Sequence, residues 1–502
     1  MKFIFLLVAT VVFSSSLFSQ KITYSQPERE DTRSMLFEVV GKVSGNYLVY
    51  KNIRTNNDIS VYDNEMKLKE RVKLDFIPDR TFNVDFVAYQ DFSYIIYQFQ
   101  KRNVVYCMAA KIDGNAKKIG EPIELDTTSL SVFADNKIYN TIFSEDRKQI
   151  VIYKIQKKNE KFNFTTLLFN TSLELQQKSR WVVPYEERRD VYNDFFVDND
   201  GNFVFAKSEK ASARDLLSKV LIVTKPPTSD TFFTTSVNLN NLYLDEVKLK
   251  VDNINKRLIL NSFYYSQKRG NIEGLFIGIW DRQMDSLIVQ NTIKFNDTLR
   301  RQAKANGTVR IAFNDFFIKN IILKKDGGFL LTGEDYYTQS RSTPWNRYDF
   351  LNNYSSLSSF NYYNYSPAGY WYRPRGWYGN NSQTRYYYDN IVVMDISKNG
   401  KLQWANILHK SQFDDETDNF LSYQIMNTGD ELHFLFNELE RRNQLIADQS
   451  ITWDGRLKRN PTLKSLDKGY EFMPKFAKQV SGKQIIVPCT MRNYICFAKI
   501  DY

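Results

Sequence analysis

One short pattern recurs along this chain of 502 residues, a polar turn followed by a run of apolar residues, and it constrains the fold more than anything else in the sequence. It reads "SGNYLVY" ending at Tyr50, "DFSYIIY" at Tyr97, "DRKQIVIY" at Tyr153 and "DNDGNFVFA" at Ala206. Four more copies follow, "NINKRLILN" at Asn261, "KKDGGFLLT" at Thr332, "NTGDELHFL" at Leu435 and "VSGKQIIVP" at Pro488. The steps between them are 47, 56, 53, 55, 71, 103 and 53 residues, so two steps hold insertions and the others are near-constant.

Each copy sits in the same context. An apolar strand precedes it, as in "LFEVVGKV" or "NDFFVD", and another follows that often ends in Asp, as at Asp63, Asp113, Asp281, Asp395, Asp454 and Asp501. A more polar strand such as "KERVKL" or "KLQWANIL" closes most units. This is a four-stranded antiparallel meander, which cannot bury both its faces alone and must stack on its neighbours. Phe and Tyr number 37 and 32, while Gly and Pro number only 20 and 12, a strand-forming balance rather than a disordered or collagenous one. The expected fold is all-β, a single β-propeller of about eight four-stranded blades, with seven as the alternative count. The last unit stops at Tyr502, after its third strand. Residues Lys21 to Ser25, "KITYS", followed by Pro27, supply a strand that would close the ring beside Asn493 to Ile500 and remove an open edge.

"DISKNGKLQW" at Asp395 to Trp404 resembles repeats of bacterial propellers of several families. Residues 1–19 carry Lys2, an apolar run from Phe3 to Phe13 and a Ser-rich end, the order of a secretory signal. The run is only about half the roughly 20 residues that cross a bilayer. Its "LFSQ" ending resembles signal peptides of Bacteroidota, and with the repeats it likens the chain to exported propellers of that group. The implied organisation is a signal peptide over 1–19 and a propeller over 20–502. Export to the periplasm or to a peripheral place on the outer membrane is expected over full secretion, because no sorting domain follows the last strand.

The formal charge of +11 comes from Lys and Arg interleaved with Asp and Glu, without a basic block or nucleic-acid motif, so no nucleic-acid partner is expected. Only two histidines exist, His409 and His433, which leaves little for a Ser-His-Asp, Cys-His or zinc site. Asp198 to Asn202 with Glu209 has the outline of a calcium loop, but Phe203 stands where that loop needs Gly, and Asp200-Gly201 reads as a hairpin turn. No metal, cofactor or catalytic residue is assigned. Cys107 reads as a buried small hydrophobe. Cys489 and Cys496 flank "TMRNYI" symmetrically and should face each other across a hairpin, either as a disulfide or as two reduced thiols.

The aromatic-rich insertion at 336–388 is the feature that points to function. Between "FLLTGED" and "NIVVMD" it places 13 Tyr, 3 Trp and 2 Phe, with Asn, Ser, Gly and Arg filling most of the rest. That mixture suits a recognition surface, where rigid aromatics anchor and small polar residues adapt. Trp345, Tyr370, Trp371, Arg373, Trp377 and Tyr378 are the candidate binding residues. A structural cap on the ring and an idle loop are the competing readings. The expected role is therefore a non-catalytic binding or scaffold protein of the bacterial cell envelope, with a protein or glycan partner. The alternative is a glycan-active enzyme, a hydrolase or lyase, working through paired carboxylates without His.

Overall fold

The computed structural model describes residues 20–28, 35–53, 55–130, 138–186, 189–212, 216–268, 270–304, 311–340, 344–354, 384–415, 417–440, 443–461, 469–492 and 494–502. Among them the chain is all-β, in antiparallel meanders whose strands follow chain order. Sheets of four strands run through Met35–Val43 to Leu68–Lys73, Thr81–Ala88 to Lys118–Ser129, Tyr139–Phe143 to Leu175–Pro184, and Tyr423–Asn427 to Leu457–Arg459. A nine-stranded sheet contains two such meanders, Asp190–Val197 to Phe233–Val237 and Lys248–Asp252 to Ser286–Lys294, bridged by Tyr243–Leu244. The remaining two sheets have five strands each.

Burial follows the strand's place in its meander. The second strand is the most apolar and is buried along its middle, as from Tyr47 to Lys51 within Asn46–Ile53, whereas the fourth, as in Leu68–Lys73, is exposed. Lys and Glu on that outer strand keep its unpaired edge soluble. The Asp residues that end third strands organise the turns beyond them. The Asp63 and Asp113 carboxylates each accept two backbone N–H groups of the following turn. Asp198 does the same for Asp200 and Asn202 and also pairs with Arg282, so this aspartate is consumed by the hairpin that Gly201 closes at φ +85°.

The apolar core is divided into clusters, each shared by two consecutive meanders. Leu48, Tyr50, Phe86 and Ile95 join the first to the second, and Tyr94, Ile96, Ile150 and Ile152 join the second to the third. The series continues to the last pair, where Leu435 and Ile446 meet Val487 and Ile500. It then returns to its start, because Phe37, Val49 and Tyr62 pack with Ile486 and Phe497. Face-to-face stacking in chain order with this return contact makes the architecture propeller-like.

The edge of the last sheet is covered from the other end of the chain. Strand Lys21–Tyr24 pairs antiparallel with Tyr494–Asp501, from Lys21 opposite Asp501 to Tyr24 opposite Ala498. Ser25 continues the pairing by donating its N–H to the Phe497 carbonyl at 2.9 Å. The long step before Thr332 is occupied in part by helix Asp297–Ala303, whose Asn296 side chain caps the Leu299 N–H. No helix among the described residues is long and apolar enough to cross a membrane.

Candidate functional site

The aromatic segment is rooted in the sheet it interrupts. Both its ends are strand: Phe329–Ser340 and Thr384–Ile396 stay paired out to Ser340 opposite Thr384, and Gln412–Asp414 adds a third strand against Tyr386, Tyr387 and Tyr388. This stem stands beyond the ordinary length of the meander. Across it Tyr337 stacks on Tyr387 at 4.4 Å and Tyr387 meets Phe413 at 6.2 Å, while the Arg385 guanidinium lies 5.0 Å from the Phe413 ring. Phe413 is 57% exposed, so the row ends in a solvent-facing aromatic.

Trp345 is the one candidate anchor among the described residues, and it packs against the ring. Its Nε1 donates to Asp315 at 2.6 Å, and its indole lies 5.4 Å from Tyr336 and 5.2 Å from Phe350. Tyr370, Trp371, Arg373, Trp377 and Tyr378 lie outside the described residues. Helix Arg347–Tyr354 is fastened by Arg347, which reaches the preceding meander and donates to Asp245 Oδ2 from Nη2 at 2.8 Å and from Nε at 3.1 Å. The same guanidinium lies 3.9 Å from the Phe317 ring centre, and Tyr265 donates its hydroxyl to Asp245 at 3.2 Å. Arg and a carboxylate this deeply buried hold each other only because hydrogen bonds take up their charge.

Under the stem lies a second buried network. Glu334, fully buried, lies 2.8 Å from the Lys410 ammonium and accepts the Ser422 hydroxyl at 2.6 Å. Lys410 also donates to the Tyr388 carbonyl at 2.8 Å, and Tyr388 donates its hydroxyl to Asp418, which pairs with Lys475 at 2.8 Å. Burial pulls the Lys410 ammonium down, with Glu334 opposing. Burial pushes the Tyr388 phenol well up, so it stays a donor at neutral pH. None of these residues was singled out by sequence reasoning, since they lie far apart in the chain and share no motif.

The other singled-out residues have ordinary places. Cys489 stands directly opposite Cys496, both fully buried, with Sγ atoms 2.8 Å apart. Cys107 is also buried. His433 Nδ1 lies 3.0 Å from both carboxylate oxygens of Asp448, with Tyr502 against its ring, and His409 is exposed at a strand end. Among the described residues no three His, Cys, Asp or Glu side chains converge as a metal site.

No protein-family model matches the chain, and no curated protein sequence matches it. Among solved structures it superposes on the polysaccharide lyase Uly1 with a TM-score of 0.41 and 8% identity, over 83% of this chain and 89% of that one. An ulvan lyase gives a TM-score of 0.37 and 10% identity, over 82% of this chain and 90% of that one. Prolyl oligopeptidase B from Galerina marginata gives 0.41 and 9%, over 91% of this chain and 55% of that one. These scores are too low for the superpositions to carry an argument about fold or activity.

Proposed function

We propose that the chain is an exported, eight-bladed propeller of the bacterial cell envelope that acts as a non-catalytic binding or scaffold protein. Its contact surface is the aromatic segment 336–388, and its partner is an envelope protein or a glycan. The observation that carries this reading is the rooting of that segment: a paired stem, the Trp345 cluster and the Arg347–Asp245 pair fix its base on the ring. A base held in this way lowers the ordering cost that a contact surface incurs on binding. Closure of the ring is supported by the return of the core clusters from the last meander to the first.

The test removes 355–383 and keeps the stem, joining Tyr354 to Thr384 through a Gly-Ser turn. Native protein and variant are compared for retention of envelope proteins and of polysaccharides from the same cells. The reading expects a folded variant that has lost its partner; a folded variant with unchanged retention contradicts it. Release of new reducing ends or unsaturated sugars by the native protein would instead establish the glycan-active alternative. We further propose that Cys489 and Cys496 are bonded in the oxidising compartment. Thiol titration of denatured, unreduced protein then finds one free thiol, and three would contradict the bond.

A further inference from the structure

The fourth strand of each described meander begins in the same way. Its first or second residue is apolar every time, and in six cases that residue is exposed: Leu68, Ile119, Leu175, Phe233, Leu287 and Leu457, at 38–56%. Ile22 and Leu402 hold the same position and are partly covered. A single exposed apolar residue needs no explanation, but a set repeated at one position does. In four meanders the register shifts just before this rung, at Tyr62 opposite Leu68, Phe169 opposite Leu175, Trp280 opposite Leu287 and Ile396 opposite Leu402. Such bulges re-aim side chains.

The repeated residues lie on one face of the stack. Each sits by the end where third and fourth strands meet, which in an antiparallel meander is also the end of the first-to-second turn and is opposite the second-to-third connection. Bonds between successive meanders keep those ends together. The Ser44 N–H donates to the Gln90 carbonyl at 2.7 Å, the Asn199 N–H to Asn253 Oδ1 at 3.0 Å, and Asn406 Nδ2 to the Gly455 carbonyl at 2.7 Å. Ile254 and Met284, each 72% exposed, stand in turns at this same end, and the Arg282 N–H joins those turns by donating to the Lys256 carbonyl at 2.9 Å. The aromatic segment, a second-to-third connection, leaves from the opposite end.

Charge beside the rung is nearly all of one sign. Of the residues immediately before and after these apolar positions, Lys21, Lys67, Lys69, Lys118, Lys401, Arg456 and Lys458 are basic, and only Glu174 is acidic. Lys118, Arg456 and Lys458 pair with Glu121, Asp454 and Glu431, but such solvent-reached pairs are weak and yield to another anion. The turn aspartates Asp63, Asp113 and Asp281 spend their carboxylates on backbone N–H groups of their own turns.

We propose that this face seats on a membrane surface of anionic phospholipids. The repeated apolar residues and the Ile254 and Met284 tips enter the boundary between headgroups and acyl chains. The flanking lysines and arginines lay their stems along that apolar surface and carry their charges to the phosphates. A protein partner would match a local patch, whereas a lipid surface matches a feature that recurs around the whole rim, where many weak insertions act together. Seated in this way, the molecule holds the 336–388 segment away from the bilayer. The inference rests on the propeller arrangement and is independent of what 336–388 binds.

The test uses the chain from Gln20 onward, so that the apolar run from Phe3 to Phe13 takes up no lipid. Its co-flotation is followed with vesicles of equal parts phosphatidylethanolamine and phosphatidylglycerol, and with vesicles of phosphatidylcholine alone. The anionic vesicles should be bound, about tenfold better than the neutral ones, and added salt should weaken the binding. Leu68→Ser, Ile119→Ser and Leu457→Ser together should reduce it about tenfold with circular dichroism unchanged. If that triple variant fails to fold, Ile254→Ser with Met284→Ser, both at turn tips, replaces it with the same expectation. Deleting 355–383, on the other face, should leave vesicle binding as it is, which separates the lipid role from the contact role. No binding of anionic vesicles by the native chain, or equal binding by native chain and serine variant, overturns the proposal. A dimer that the serine variant takes apart, without vesicle binding, assigns the face to a second copy and equally overturns it.

Discussion

The most consequential single residue is Arg347. Its guanidinium and the Asp245 carboxylate are almost fully buried, at 6% and 1% side-chain exposure, and join residues 102 apart in the chain. Truncating one partner strands the other, so Arg347→Ala should cost about 3–5 kcal/mol in chemical denaturation. Lys210 makes a subtler prediction. Burial lowers its ammonium to about 8 from the ordinary 10.5. Below pH 8 the folded state carries the whole burden of that buried charge. Between pH 8 and 10.5 it sheds the proton before the unfolded chain does, so its contribution to stability rises with pH. Lys210→Met should therefore be more stable than wild type at pH 7, by about 1–3 kcal/mol, with the gain shrinking toward pH 10. Neither residue was legible in the sequence, because a buried charge is defined by its surroundings and not by its neighbours in the chain. The cysteine register was legible, since the symmetric spacing of Cys489 and Cys496 about "TMRNYI" matches the observed pairing of Met491 with Tyr494 and of Cys489 with Cys496.

At the scale of elements, the insertion divides into a stem that continues the sheet and a remainder, 355–383, to which the proposed contact role is given. Removing 355–383 should leave the unfolding midpoint close to that of the native chain, because loop closure depends weakly on length. Removing the whole of 336–388 should lower it clearly. That cut takes away the pairs from Tyr336 opposite Tyr388 to Ser340 opposite Thr384, the partner of Gln412–Asp414, and Arg347. Equal midpoints for the two deletions would show that the stem contributes nothing. Composition marks the aromatic richness of 336–388 but does not tell that five residues at each end continue the ladder. The N-terminal strand was better marked, by strand composition ahead of Pro27 and by a last unit one strand short. Deleting Lys21–Tyr24 should cost several kcal/mol, on the order of four backbone pairs at about 1 kcal/mol each plus their packing. An unchanged denaturation midpoint would contradict that role.

For the whole molecule, the repeat text specified the kind of unit, a four-stranded antiparallel meander, because each must present an apolar second strand to two neighbours. It could not specify what gathers at the seams, where Glu334, Lys410 and Tyr388 of one meander meet Asp418 and Lys475 from beyond it. The central claim is a closed ring of eight blades with strand Lys21–Tyr24 on the outer edge of the last sheet. An experimental density map of the protein, viewed down its axis, tests this most directly. The account predicts eight four-stranded blades and Lys21–Tyr24 paired with Tyr494–Asp501; seven blades, an open ring, or that strand seated elsewhere would contradict it.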